Sequence, residues 1–189
     1  MGKLYLVPTP IGNLRDITLR ALEVLAKVDL ILVEDTRVAK KLLNHYEINT
    51  KTKSYHVYNE HKTLSEIINL LISDNSIALV SDSGYPCISD PGFTLVREAI
   101  SKGIDLESLP GASSIIPALT QSGFPTTCFI FEGFLPKKKG RQKKILELSK
   151  EKRTVILFES PYRLIKLLNE IKDICGAEKN ISISREISK

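Results

Sequence analysis

Short apolar runs alternate with stretches of helical spacing along the first two thirds of the chain. Lys3 to Val7 and Leu30 to Val33 have strand length. Ile77 to Val80 is apolar at every position, as in a parallel strand buried on both faces. Ser54 to Tyr58 and Ile104 to Leu109 read as two further strands. Between these runs the apolar residues recur at helical intervals, as at Leu19, Leu22 and Leu25, or at Phe93, Val96 and Ile100. The pattern predicts a helix capped by Asp16 and reaching Lys27, and one from Arg37 to about Tyr46 capped by Asp35 or Thr36. A third, opened by a Thr63–Glu66 capping box, ends near Ser73. A fourth closes at Gly103, with Asp90 placed to cap it and Pro91 in its first turn. Pro110 to Ser114 opens a fifth, which ends at Gly123.

Strands and helices in this order predict an α/β fold with a mostly parallel sheet over residues 1–123. Gly123-Phe124-Pro125 punctuates the chain, and residues 124–189 read as a second, smaller α/β domain. Its expected parts are a strand at Cys128 to Phe131, a lysine-rich loop from Gly133 to Gly140 and a basic helix to about Lys150. A strand at Thr154 to Phe158, a helix from Ser160 or Pro161 to Ile174, and an apolar alternation at Ile181, Ile183 and Ile187 follow.

Composition narrows the class. A chain of 189 residues, 42% hydrophobic and 26% charged, suits a soluble globular protein, and its net charge of +5 permits an anionic partner. Cys87, Cys128 and Cys175 are odd in number and far apart, which argues against a disulfide framework or a metal site and for a reducing, cytoplasmic setting. No apolar run approaches membrane-spanning length, and the first residues lack a signal-peptide pattern, so no membrane partner is expected. The loop after the first strand is PTPIGN rather than GxGxxG, and no GxxxxGK[ST] occurs, which disfavours a dehydrogenase or a kinase.

The candidate chemistry gathers where predicted strands end. Ile77 to Gly92 runs from a buried strand through Ser81, Asp82 and Gly84 into a capped helix, the place where open α/β sheets hold ligands. Glu34, Asp35 and Arg37 follow the second strand on the same expected edge. Asp35 reads as a base and Arg37 as a grip on phosphate or alkoxide, or else as a helix cap with a solvated arginine. Ser113 and Ser114 open a helix, where they either cap it or receive a carboxylate ligand. Lys137, Lys138, Lys139, Arg141, Lys143 and Lys144 put six positive charges into eight residues, a phosphate-binding run or a solvated loop.

Taken together, LYLVPTPIGNL (4–14), EDTR (34–37), VSDSGYPCISDPG (80–92), LPGASS (109–114), FEGFLPKKKGR (131–141), FESPYR (158–163) and SREISK (184–189) resemble the ribosomal small subunit methyltransferase I family. That family belongs to the tetrapyrrole methylases, and the resemblance covers essentially the whole chain. It implies a two-domain α/β fold with S-adenosylmethionine in the cleft between domains. The implied activity is methylation of a cytidine ribose 2′-oxygen in small-subunit (16S) ribosomal RNA. It further implies a cofactor pocket at Pro10, Val80, Ser81, Asp82, Ser113 and Ser114, with Leu157 and Phe158 flanking the adenosine or packing in the core. RNA contact falls to Lys137, Lys138, Lys139, Arg141, Lys143 and Lys144, and the partners are the 30S subunit and a second copy in a homodimer. Two departures stand out. Tyr85 replaces the threonine of the usual Ala-Gly-Thr-Pro, and the family usually continues beyond SREISK, so a shortened second domain is expected. The competing readings are a methyltransferase acting on a tetrapyrrole or another small molecule, and an RNA- or ribosome-binding protein without turnover.

Overall fold

A computed structural model describes residues 2–189, which divide into two compact units. The first runs to Ser114 and includes Ser188–Lys189; the second is Ile115–Ile187. The helix that the sequence placed before the break therefore belongs to the second unit.

The first unit is built on a five-stranded sheet of order β3-β2-β4-β1-β5, parallel throughout. Its strands are β1 (Lys3–Val7), β2 (Leu30–Val33), β3 (Thr52–Ser54), β4 (Ile77–Val80) and β5 (Asp105–Ser108). β4 lies between β2 and β1 and is buried at all four positions, which is why its sequence does not alternate. Successive side chains still point to opposite faces. Ile77 and Leu79 join Leu4, Leu6 and Leu32 beneath α3 (Glu60–Ile72) and α4 (Phe93–Ser101). Ala78 and Val80 join Val7, Ile31 and Val33 beneath α1 (Leu19–Lys27) and α2 (Thr36–His45). The product is a helix–sheet–helix sandwich. The edge strand β5 is polar, and Lys3 pairs across to its Asp105 at 3.1 Å and Glu107 at 2.9 Å.

Several helix starts differ from expectation. Asp16 closes a 3-10 turn, Leu14–Asp16, and α1 is capped instead by Thr18, whose hydroxyl accepts the Ala21 N–H. The expected strand at Ser54 to Tyr58 is Thr52–Ser54, and α3 begins at Glu60, so Thr63 lies inside it rather than at its cap. Asn59 holds that entry, accepting the His56 N–H at 2.8 Å and donating to the Ser54 carbonyl at 3.0 Å. Asp90 does not cap α4; Gly92 does, at φ 129°, because a Cβ there would stand 2.6 Å from both Cys87 Sγ and Leu79 Cδ2.

The second unit holds a parallel pair, β6 (Phe129–Phe134) and β7 (Thr154–Phe158), with an irregularity between Phe131 and Gly133. α5 (Ile115–Gln121), α6 (Arg141–Ser149) and α7 (Leu164–Cys175) complete it, around a small core of Leu135, Ile145 and Leu167. The apolar alternation at Ile181, Ile183 and Ile187 forms no strand, and Ile181 and Ile183 are exposed.

Candidate functional site

Because the first sheet is parallel, the loops after β1, β2, β4 and β5 leave from one edge, the carboxyl edge where open α/β sheets hold ligands. These loops are tied to one another. Thr9 and Gly84 exchange backbone hydrogen bonds of 2.9 Å as an antiparallel bridge. The buried Thr9 hydroxyl donates to the Ser81 carbonyl at 2.9 Å, and the buried Ser81 hydroxyl donates to the Gly84 carbonyl at 2.8 Å. The Ser81 hydroxyl therefore locks its own loop. Tyr85 is a tie as well, its hydroxyl accepting the Gly111 N–H at 2.9 Å. A Cβ at 111 would lie 3.0 Å from two atoms of Pro8, so a larger residue there would need that ring to shift by a few tenths of an ångström.

Beside this edge lies a cavity of about 200 Å³. Thr9, Pro10, Val80, Ser81 and Asp82 line it from the strand-end loops, and Leu25, Ile31, Val38 and Leu42 supply apolar walls. Pockets for drug-sized ligands span about 300–1,000 Å³, so this one suits a single ring rather than a whole nucleoside cofactor. Ser113 and Ser114 directly precede α5 and stand outside its lining.

Two carboxylates of the edge are held above their ordinary range. Glu34 is pushed up by burial, then by the charges of Asp82 and Asp35, while His56 opposes them. Burial and the charges of Glu34 and Asp82 push Asp90 up to about 6. Burial, with Asp90 and Glu60 nearby, pushes the Cys87 thiol up to about 11, which leaves it inert as a nucleophile. Asp82 Oδ1 accepts the Asp35 N–H at 3.1 Å, and its other oxygen accepts no hydrogen bond among the described residues. The Tyr55 hydroxyl and His56 Nδ1 are buried without a partner among the described residues.

Asp35 behaves differently. It caps α2 by accepting the Arg37 N–H at 2.8 Å, and it grips the Arg37 guanidinium through both oxygens, the shortest contact 2.6 Å. The Arg37 side chain and backbone N–H hold Asp35 down at about 2, so it is almost without basicity near neutral pH. The expectation of Asp35 as base is not supported by this arrangement. Its neighbour Glu34, at the end of the same strand, carries the raised affinity for a proton. The signal was present in the Glu34-Asp35 pair, but strand alternation alone does not tell which of the two faces the other carboxylates.

In the second unit, Phe158 ends β7 with its ring edge-on to Phe131 at 5.0 Å and tilted against Phe134 at 5.4 Å. The lysine run is not uniform. Lys137, Lys138, Lys139 and Lys143 are exposed, whereas Lys144 pairs with Glu132 at 2.7 Å. Arg141 is buried and bonds Glu170 at 2.7 Å and Glu159 at 3.0 Å, which removes it from the candidate RNA contacts. Among the described residues no group of three His, Cys, Asp or Glu side chains is placed to hold a metal ion. No helix among them is long and apolar enough to cross a membrane.

Comparison with known proteins places this geometry. The family model of tetrapyrrole (corrin/porphyrin) methylases matches residues 3–189. A ribosomal RNA small subunit methyltransferase I from Vibrio cholerae is 50% identical over 98% of this chain, and the chain spans 65% of its length. The protein of that name from Thermotoga maritima is 48% identical over the whole chain, which spans 85% of it. Among solved structures, a cobalt precorrin-4 methyltransferase of cobalamin biosynthesis superposes with TM-score 0.68 at 19% identity, covering 93% of this chain and 76% of that one. A uroporphyrin III C-methyltransferase from Thermus thermophilus gives 0.62 at 16%, covering 92% and 77%. At such identities these two show the fold alone. With the fold, the strand-end site and relatives near half identity in agreement, the chain belongs to the tetrapyrrole methylase family and, within it, to the ribosomal RNA small subunit methyltransferase I group.

Proposed function

We propose that the protein is an S-adenosylmethionine-dependent methyltransferase that modifies a cytidine ribose 2′-oxygen in small-subunit ribosomal RNA. The observation that carries this reading is the near-half identity, along the whole chain, to relatives named for methyl transfer to that RNA. The site's chemistry is consistent with it. Glu34, Asp82 and Asp90 gather negative charge at one sheet edge, and burial first, then the charges of their neighbours, raises the affinities of Glu34 and Asp90 for protons. A cation is favoured where carboxylates repel one another. S-adenosylmethionine brings a sulfonium and an ammonium together with an electrophilic methyl group.

The chain's own residues then have separable tasks. Asp82, fixed through Asp35 N–H, presents a carboxylate oxygen to the cationic part of the ligand. The ties among Thr9, Ser81, Gly84, Tyr85 and Gly111 hold the loops in place before binding, and positioning alone supplies roughly 7–11 kcal/mol toward such a displacement. Glu34 takes the proton from the ribose hydroxyl, because a carboxylate of raised affinity is the better base near neutral pH. Arg37, exposed and oriented by Asp35, meets an RNA phosphate with its remaining N–H groups. Lys137, Lys138, Lys139 and Lys143 add backbone contacts. The resemblance extends to the 30S subunit as substrate, to a cytoplasmic setting and to a homodimer, the last checked by analytical ultracentrifugation.

The deciding experiment is transfer of labelled methyl from S-adenosylmethionine to 30S subunits that lack their own modification, followed by nuclease digestion. Label on a cytidine 2′-oxygen is expected. Label on a base, or transfer only to a tetrapyrrole, overturns the proposal.

A further inference from the structure

The second unit carries an aromatic side chain that neither the fold nor the transfer reaction uses. Tyr162 is 99% exposed, in the 3-10 turn Pro161–Arg163 that follows β7. A tyrosine left wholly in water adds nothing to the core, yet it presents a flat apolar face with a polar tip.

What surrounds it is ordered. The backbone N–H of Ser160 and the Arg163 guanidinium both donate to Glu159 Oε1 at 2.8 Å. Glu159 is buried, and its other oxygen accepts from Arg141 at 3.0 Å. Arg141 also donates to Glu170 at 2.7 Å and to the Pro136 carbonyl at 3.4 Å. Burial would raise Glu159, but Ser160, Arg141 and Arg163 outweigh it and hold the group ionised. One buried carboxylate thus pins two surface segments, the Tyr162 turn and the loop that carries Lys137, Lys138 and Lys139. Those three lysines are exposed and form no ion pair among the described residues. Phe134, half exposed, stands just before the same loop.

We infer that Tyr162 and the loop Lys137–Lys139 form one contact surface for unpaired RNA, in which Tyr162 stacks on a base and the ammonium groups take neighbouring phosphates. The inference rests on the RNA reading above and adds a demand to it, because a base offers its face to a side chain only when it is out of a duplex. A duplex presents phosphates to the lysines but no free ring to Tyr162.

The sequence contains no tryptophan, so Tyr162→Trp in the full chain places a single reporter on the surface. A short single-stranded RNA is expected to quench its emission saturably, and the same strand annealed to its complement to leave it nearly unchanged. Tyr162→Ala is expected to weaken single-strand binding about ten-fold, within the range for loss of a stacked base, with the salt dependence unchanged and Tyr162→Phe near wild type. Replacing Lys137, Lys138 and Lys139 together by Ala is expected to flatten the salt slope by about two, at roughly 0.7 per single-strand phosphate contact. Equal melting temperatures for wild type and Tyr162→Ala exclude a folding cause. If wild type binds single strands and Tyr162→Ala matches it, or if duplex quenches as strongly, the stacking surface is overturned while the RNA reading stands. If wild type binds neither RNA, both readings fall.

Discussion

Replacing Asp90 by Asn tests the crowding of charge at the sheet edge, because the substitution keeps the shape of the side chain and removes its charge. Asp90 stands at about 6 against an ordinary 3.8, raised by burial and then by Glu34 and Asp82. A difference of about two units is about 3 kcal/mol at 1.36 per unit. Asp90 is only half-buried, and solvent screening brings the expected effect down to about 1 kcal/mol. The folded state holds the Asp90 proton more tightly than the unfolded chain does. The site therefore supports stability most fully below about pH 4 and loses that support as pH rises to about 6. Glu34 shifts in the same direction. Asp90→Asn is thus expected to stabilise the ligand-free protein by about 1 kcal/mol near pH 7.5, a rise of about 2–4 °C in melting temperature for a chain of this size. Most of that gain should be gone by about pH 4, where Asp90 is protonated in the folded state. Thermal unfolding of both proteins across that pH range is the assay. A gain independent of pH, or a loss near pH 7.5, would refute the reasoning.

Asp82→Ala should weaken S-adenosylmethionine binding in calorimetry, since it removes the carboxylate oxygen left open at the edge; unchanged affinity would take Asp82 out of the site. Arg141→Met should cost about 3–5 kcal/mol in equilibrium denaturation, because Glu159 and Glu170 lose the guanidinium between them; a cost below about 1 would count against the buried network. Gly92→Ala should lower stability by about 1–3 kcal/mol through strain at φ 129° and the 2.6 Å approaches of its Cβ, and a wild-type melting curve would contradict that. Tyr85→Phe leaves the Gly111 N–H without its acceptor, at about 1–3 kcal/mol if that group stays dry. Faster hydrogen exchange at Gly111 is its signature, and unchanged exchange would show the tie to be unimportant.

The sheet was legible in the chain because its central strand needs no alternation: Ile77 to Val80 is covered on both faces, and the apolar run states as much. Helix starts were less legible. Asp16 and Asp90 are good capping residues by type, but a 3-10 turn intervenes at one and Gly92 takes the cap at the other. The site divided along the same line. Asp82 was visible as the residue where a buried strand stops. The difference between Asp35 and Glu34 was not, since it depends on Arg37 folding back onto Asp35 and on charges that arrive from β4 and its loop. Arg141 reads as one more cation in a basic run. Only the fold brings up Glu159 and Glu170, 18 and 29 positions away, to bury it.

The strand order also governs how the first unit comes into being. Lys3–Val7 leaves the ribosome well before both of its partners, Ile77–Val80 and Asp105–Ser108. At roughly 5–20 residues per second, the second partner appears about 5–20 s after the first strand. Until Val80 has emerged this hydrophobic segment has both ladders of backbone groups unsatisfied, and the ladder that faces Asp105–Ser108 stays open until the end of the interval. Closure of such distant pairings is slow, and exposed strand edges invite association with other chains. The growing chain therefore needs protection until Ser108 has emerged, and codon changes that slow translation between residues 80 and 105 should lower its soluble yield without altering a single contact of the finished protein.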